Sequence, residues 1–258
     1  MTDWSKGRYE DTAAELHPVA ELVVDLAAPI EGDRVLDIAC GTGNVALLAA
    51  ARGAEVVGVD TAERLVAVAA RRSVAAGQFA QFRVADAQAL PVPDASVDVV
   101  LSVFGVVFAS DAAKAMSEIA RVLGPNGRAY VTAWVPAGPI NAMLGVVGRA
   151  LGSATDAAPP KRFAWSDADA VASIAQPCGL AVTTTLHELE IRATSPEAYI
   201  DAGREHPMAV DMWPTLESRG LLDHVREGMI AALAASNQDA PRLLIHSPYV
   251  VHELRPQA

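Results

Sequence analysis

Val35-Leu36-Asp37-Ile38-Ala39-Cys40-Gly41-Thr42-Gly43-Asn44 is an apolar run that enters a glycine turn and opens into an alanine-rich helical stretch. A buried strand followed by such a turn brings backbone amides close to a ligand, and the helix start adds its positive end. Gly41-x-Gly43-x-x-Ala46 alone also satisfies the dinucleotide fingerprint. Asp37 separates the two readings, because it places a carboxylate at the end of the strand, beside the cradle. A pyrophosphate is repelled there, whereas a ligand carrying an ammonium and a sulfonium is attracted in a partly desolvated site. An aspartate in this place also has a purely local use, as a cap for the next turn.

Working outward, short β-branched runs alternate with alanine-rich stretches, a pattern that predicts a parallel sheet with helices on both faces. The expected strands are Arg34 to Ala39, Glu55 to Asp60, Phe79 to Ala85, Val97 to Ser102 and Arg128 to Trp134, all apolar enough to be covered on both sides. Helices are expected from Asn44 to Arg52, from a Thr61 cap to Ala76, and from an Asp111 cap to Leu123, where Gly124-Pro125-Asn126-Gly127 turns the chain. Residues 11–27 read as one helix before the sheet.

Beyond Trp134 the rhythm changes. Pro136, Gly138, Pro139, Pro159 and Pro160 bracket a short helix from Ile140 to Leu151, and Trp165-Ser166-Asp167 opens another, to about Gln176. Leu180 to Leu189 reads as a sixth strand, Ser195-Pro196-Glu197 as a helix start with helical character to about Ala235, and Leu243 to Leu254 as a last strand. One domain over 1–258 is expected: a helical cap (1–30), a ligand-binding core (31–134), substrate-side insertions with the sixth strand (135–240) and the last strand (241–258).

Two further aspartates mark strand ends. Asp60 lies where an acceptor pair can bind both ribose hydroxyls of a nucleoside; a helix-start charge is the local alternative. Asp86, in Val84-Ala85-Asp86-Ala87, is placed to accept from the exocyclic amine of an adenine, or else to serve as a solvated loop residue.

Composition narrows the partners. Lys+Arg number 20 against 31 Asp+Glu, for a formal net charge of −11, so a phosphate backbone or an anionic membrane surface is disfavoured. The most apolar stretch, Val97 to Ala109, contains Asp98 and is shorter than the about 20 residues that a spanning helix needs. Two cysteines and a polar start without an apolar h-region predict a reduced, cytoplasmic protein. No His/Cys/carboxylate cluster has ligand spacing, so no metal is expected.

The blocks VLDIACGTG, VVGVD, ADAQALPVPDASVDVVLS and ARVLGPNGRAYVTAW, in this order, resemble the small-molecule class I S-adenosylmethionine-dependent methyltransferases related to those of quinone biosynthesis, over about two-fifths of the chain. The resemblance implies a Rossmann-like, doubly wound α/β fold. Its seven-stranded sheet is mostly parallel with an antiparallel last strand, and its helical insertions form a substrate lid. S-adenosylmethionine is the implied donor and S-adenosylhomocysteine the product. Asp37 with Ala39, Gly41, Thr42 and Gly43 would hold the methionine part, Asp60 with neighbouring Thr61 the ribose, Asp86 and Ala87 the adenine, and Ser102 would meet the methionine end near the methyl. Tyr9 is the candidate for an N-terminal aromatic that closes over the cofactor.

The donor methyl sits on a cationic sulfur, so in-line alignment of a small organic acceptor and exclusion of water supply most of the chemistry. Should a general base be needed, His206 in Arg204-Glu205-His206-Pro207-Met208 is the preferred of six histidines, with a surface or helix-end role as the alternative. Phe104, Phe108, Trp134, Phe163 and Trp165 suggest an apolar or planar acceptor, or else plain packing. An NAD-dependent oxidoreductase and a non-catalytic cofactor-binding regulator remain the competing readings. Acceptor and oligomeric state have no sequence signal.

Overall fold

A computed structural model describes residues 2–152 and 163–257; Pro159 and Pro160 of the expected insertion lie outside them. Two helices, α1 (Tyr9–Glu15) and α2 (His17–Ala27), precede the core alternation. That alternation runs β1 (Arg34–Ile38), α3 (Asn44–Ala50), β2 (Glu55–Asp60), α4 (Glu63–Ala75), β3 (Ala80–Val84), β4 (Val97–Ser102), α5 (Ala112–Val122) and β5 (Leu123–Trp134). Then come α6 (Gly138–Gly152), α7 (Ala168–Ala175), β6 (Leu180–Ala193), α8 (Pro196–Ala202), α9 (Met212–Ser218), α10 (Leu222–Ala234) and β7 (Leu243–Pro256). The seven strands form one sheet in the order β3-β2-β1-β4-β5-β7-β6, mostly parallel with the last strand antiparallel. This is the Rossmann-like α/β architecture expected.

Residues 13–134, 163–187 and 250–258 make one compact unit, and residues 1–12, 135–162 and 188–249 a second. In the first, Val23, Val35, Leu36, Ile38, Val59, Val99, Val100, Leu101, Met116 and Ile119 are almost fully buried. At the same level of the sheet Asp37 pairs with Gly58 on β2 and with Leu101 on β4, and two residues further along β2 Asp60 pairs with Val84 on β3. The register thus delivers the carboxylates of β1 and β2 to the same end of the sheet. Polar groups are also buried in this unit; Gln78 Oε1 and the Trp165 indole Nε1 have no partner among the described residues, whereas His252 has two. His252 donates from Nε2 to the Trp165 carbonyl (2.6 Å) and accepts at Nδ1 from the Thr184 hydroxyl (2.8 Å). Burial holds this ring below the ordinary histidine pKa, consistent with a neutral structural imidazole.

Several expectations are corrected. β3 is not covered on both sides: it is the sheet's edge strand, Val84 is 55% exposed, and Phe79, outside its first pair, is 96% exposed. The expected turn at Gly124 to Gly127 lies within β5, because pairing with β4 starts early (Val97 with Leu123) and shifts register before Val99 meets Arg128. The helix at 11–27 is broken at Leu16, and Pro18 in the first turn of α2 marks the new start. α4 begins at Glu63 with Ala62 as its N-cap and no side-chain cap, so Thr61 does not cap it. The caps of Asp111 on Lys114 N–H and Ser195 on Ala198 N–H are present as expected.

One close approach inside the sheet bears on the site. A Cβ on Gly58 would stand 2.7 Å from the Phe82 ring and 3.2 Å from Cys40 Cβ, and the same ring lies 3.3 Å from where a Gly43 Cβ would be. Phe82 therefore packs over β2 and against the glycine loop at once. Gly58→Ala is expected to push this ring off both, at a cost of roughly 1–3 kcal/mol of overpacking strain. An unfolding midpoint equal to the parent's in urea would contradict this packing account.

Candidate active site

The loop after β1 is shaped by left-handed backbone: Ala39 has φ +55°, Gly41 φ +53° and Gly43 φ +86°. Glycine adopts this region freely, but alanine does so at a cost of about 1–2 kcal/mol. The surroundings hold Ala39 there. A Cβ on Gly105, in the loop after β4, would lie 2.4 Å from Ala39 Cβ, so the two strand-end loops interlock only because residue 105 is glycine. Phe104 is likewise left-handed (φ +52°), with its N–H donated to the Thr132 hydroxyl (2.8 Å). Strain of this kind on two adjacent strand ends is characteristic of functional sites.

Arg72, on α4, braces the loop from behind. Its guanidinium donates to the Thr42 carbonyl (2.7 Å), the Thr42 hydroxyl (3.0 Å) and Asn44 Oδ1 (2.8 Å). The Thr42 side chain thus fixes the loop's own shape. Ser102 is also committed: its hydroxyl donates to the Ile38 carbonyl (2.8 Å) and accepts from Val106 N–H (3.0 Å), tying the end of β4 to that of β1. It is fully buried, so its side chain shapes the wall and is not a free donor toward a ligand.

The carboxylates form the electrostatic centre. Asp37 is 1% exposed and accepts from Ala46 N–H (3.1 Å) in the first turn of α3, so its local capping use is present. One backbone bond does not balance its burial: desolvation first, and the Asp60 charge in addition, push its carboxyl up to about 8. Asp60 accepts from Gly41 N–H at one oxygen (2.9 Å) and from Ala62 N–H at the other (2.8 Å), with Thr61 N–H as a third backbone donor. Burial raises this carboxyl too, over the opposing effect of its backbone donors. No ion-pair partner lies against Asp37 or Asp60 among the described residues. A cationic visitor to this low-dielectric pocket would stabilise the ionised form of both carboxyls. Cys40 is buried between them, with its thiol pushed upward by burial and both carboxylates, so the reactive thiolate is suppressed.

Asp86, just past β3, is exposed; its Oδ1 accepts from Gln88 N–H (2.8 Å) and Gln88 Nε2 (3.0 Å). Ala87 beside it is half-buried, and Thr61 beside Asp60 is exposed.

The expected pocket aromatics come in pairs. Phe104 stacks on Trp134 (centroids 4.2 Å, planes 4° apart), and Phe163 meets Trp165 edge-on (5.2 Å, 74°), while Phe108 sits half-buried in a short 3-10 turn. Tyr9 and His206 both lie in the second compact unit, each edge-on to Trp4 (5.9 and 6.0 Å). His206 Nδ1 accepts from Met208 N–H (3.1 Å), and burial lowers its pKa. The neutral ring then carries its proton on Nε2 and has its lone pair engaged. Gly105, Arg72, Phe82 and Gln88 went unmarked in the sequence, although each shapes or braces this site. Among the described residues there is no cluster of three metal-ligating side chains, and no helix is long and apolar enough to cross a membrane.

Comparison with known proteins agrees with this geometry. Residues 36–131 match the family described as a methyltransferase domain. An uncharacterized protein of Mycobacterium tuberculosis is 35% identical over 172 residues, 66% of this chain and 62% of that one. The demethylmenaquinone methyltransferase of Thermus thermophilus is 44% identical over 128 residues, 49% of this chain and 57% of the enzyme. The chain thus spans about three-fifths of the length of these curated relatives. A putative methyltransferase structure from Bacillus halodurans superposes with a TM-score of 0.64 at 18% identity, covering 93% of this chain and 99% of that one, a likeness of fold. Over residues 36–131 the chain is thus similar to methyltransferase domains, in line with the resemblance carried by the four sequence blocks.

The position of Asp37 has a consequence for stability. Its folded pKa lies above its ordinary 3.8, so the folded state holds a proton that the unfolded state lacks between about 3.8 and about 8. Its contribution is therefore full at low pH and is lost as pH rises toward about 8, by about 1.4 kcal/mol per pH unit. Between pH 6 and 8 the ligand-free parent should lose stability relative to Asp37→Asn, with the difference levelling off above that. Parallel denaturation curves for the two proteins across this range would refute the assignment.

Proposed function

We propose that this chain is an S-adenosylmethionine-dependent methyltransferase that transfers the methyl group to a small organic acceptor by in-line displacement. The observation that carries the reading is Asp37, a carboxylate buried at the end of β1 with no cation against it among the described residues, next to a second raised carboxylate at Asp60. A dinucleotide would add a pyrophosphate to that negative pocket. An adenosyl amino acid adds an ammonium instead, and in the donor form a sulfonium as well.

The residues divide the ligand between them. Asp37 takes the ammonium, with the backbone of Ala39, Gly41, Thr42 and Gly43 around the amino-acid end. Asp60, with Thr61 beside it, takes the ribose hydroxyls. Asp86 accepts from the adenine amine with Ala87 flanking the ring, and Ser102 keeps the β4 wall in place beside the methionine end. S-adenosylmethionine, when bound, supplies a methyl already activated by its positive sulfur. The chain's part is then to bind, align and exclude water. The stacked Phe104 and Trp134, with Phe108, Phe163 and Trp165, suit an apolar, planar acceptor. No histidine is assigned as base. The acidic balance argues against nucleic acid as acceptor, and a cytoplasmic location is in keeping with the sequence.

Calorimetry tests the reading. S-adenosylhomocysteine should give binding heat and NADH none, and at pH 7 binding should release about one proton as Asp37 ionises against the ammonium, seen by comparing buffers of different ionisation enthalpy. Replacing Asp37, Asp60 and Asp86 together by alanine should abolish measurable binding, since each charge-assisted hydrogen bond is worth roughly a factor of ten or more. Undiminished affinity in the triple variant would defeat the proposal. Tight binding with no methylation across phenols, acids, amines and quinols would favour a regulatory role over catalysis.

A further inference from the structure

We propose that Gln88 is a positioning residue for nucleobase selectivity, holding Asp86 so that one carboxylate oxygen alone faces the base; this rests on the adenine reading of Asp86 given above. Both bonds that Asp86 receives end on the same atom: Oδ1 accepts from Gln88 N–H at 2.8 Å and from Gln88 Nε2 at 3.0 Å. Among the described residues Oδ2 has no hydrogen-bond partner. The carboxylate is thereby rotated and pinned, with a single acceptor left for a donor from outside.

The other end of the Gln88 amide is anchored just as firmly. Oε1 accepts from the Ser110 hydroxyl (3.1 Å) and from Asp111 N–H (3.0 Å). Asp111 is the N-cap of α5, its own carboxylate accepting from Lys114 N–H. The amide therefore spans from the end of β3 to the start of α5. Its donor and acceptor ends are not interchangeable, because Asp86 Oδ1 can only accept and Asp111 N–H can only donate. Two residues further on, Leu90 N–H is held by the buried Glu118 at 2.7 Å, and Glu118 in turn by Arg121 Nε at 2.7 Å. The loop carrying Asp86 is fixed at both ends of its first turn.

An exposed aspartate without such a brace samples several rotamers and hydrogen-bonds to water in each. A braced one presents a fixed acceptor, which favours an exocyclic amine over a carbonyl at the same position of a purine. Gln88 thus acts on adenine through Asp86 without touching it.

Titrating the whole chain with S-adenosylhomocysteine and with S-inosylhomocysteine, which carries a carbonyl in place of the amine, reads this directly. The parent should prefer the adenosyl ligand. Gln88→Ala should cut that preference by about tenfold, the scale of one hydrogen bond to a charged group, chiefly by weakening the adenosyl ligand. Ser110→Ala, which removes only one of the two donors to Oε1 and disturbs the fold less, should reduce it by a smaller factor. A preference unchanged in both variants, including the case where both ligands weaken equally, overturns the inference and leaves the methyltransferase reading standing. A parent that binds both ligands alike overturns the adenine role of Asp86, and the inference with it.

Discussion

Two carboxylates buried side by side without a counter-charge set the terms for everything else at this site. Asp37 and Asp60 sit at the ends of neighbouring strands, each held by backbone N–H groups of the loops that follow. Those bonds orient the oxygens without cancelling the cost of burying them. The fold tolerates this because the rest of the strand ends are locked: Ser102 ties β4 to β1, Gly105 lets the two loops interlock, and Arg72 clamps the glycine turn from α4. Electrostatic need and mechanical support are supplied by different residues.

The same division separates what was legible in the sequence from what was not. Alternation of apolar runs and alanine-rich stretches gave the strand and helix order, since buried parallel strands must be apolar on both faces. It failed at β3, where Phe79 and Val84 are as apolar as core residues and yet lie on the open edge; composition cannot tell an edge from a centre. The carboxylates were readable because strand ends ahead of a glycine turn are the places where a parallel sheet binds ligands. The braces were not readable. Arg72 is one arginine among several on a helix, and Gln88 is an ordinary loop glutamine until Asp86 and Asp111 are seen on either side of it. Gly105 had a faint signal, a lone glycine after a strand, and Pro18 a clearer one for the break at Leu16.

His206 was the preferred histidine because its segment was expected to roof the acceptor pocket; in the structure Met208 N–H engages its Nδ1 lone pair. Methyl transfer from a sulfonium makes few demands for proton transfer when the acceptor arrives as an anion, so a site without a free imidazole is chemically adequate. The Phe104–Trp134 stack, with planes 4° apart, lies at the ends of β4 and β5.

The place of β7 between β5 and β6 has a consequence for how the chain reaches this state. β6 is complete by Ala193, yet its sheet neighbour begins only at Leu243, after three intervening helices. Until that segment arrives, β5 presents a bare hydrogen-bonding edge and β6 has nothing in the sheet to pair with, a pairing of high sequence separation that closes slowly. A nascent chain would be most open to mispairing with its neighbours during that interval.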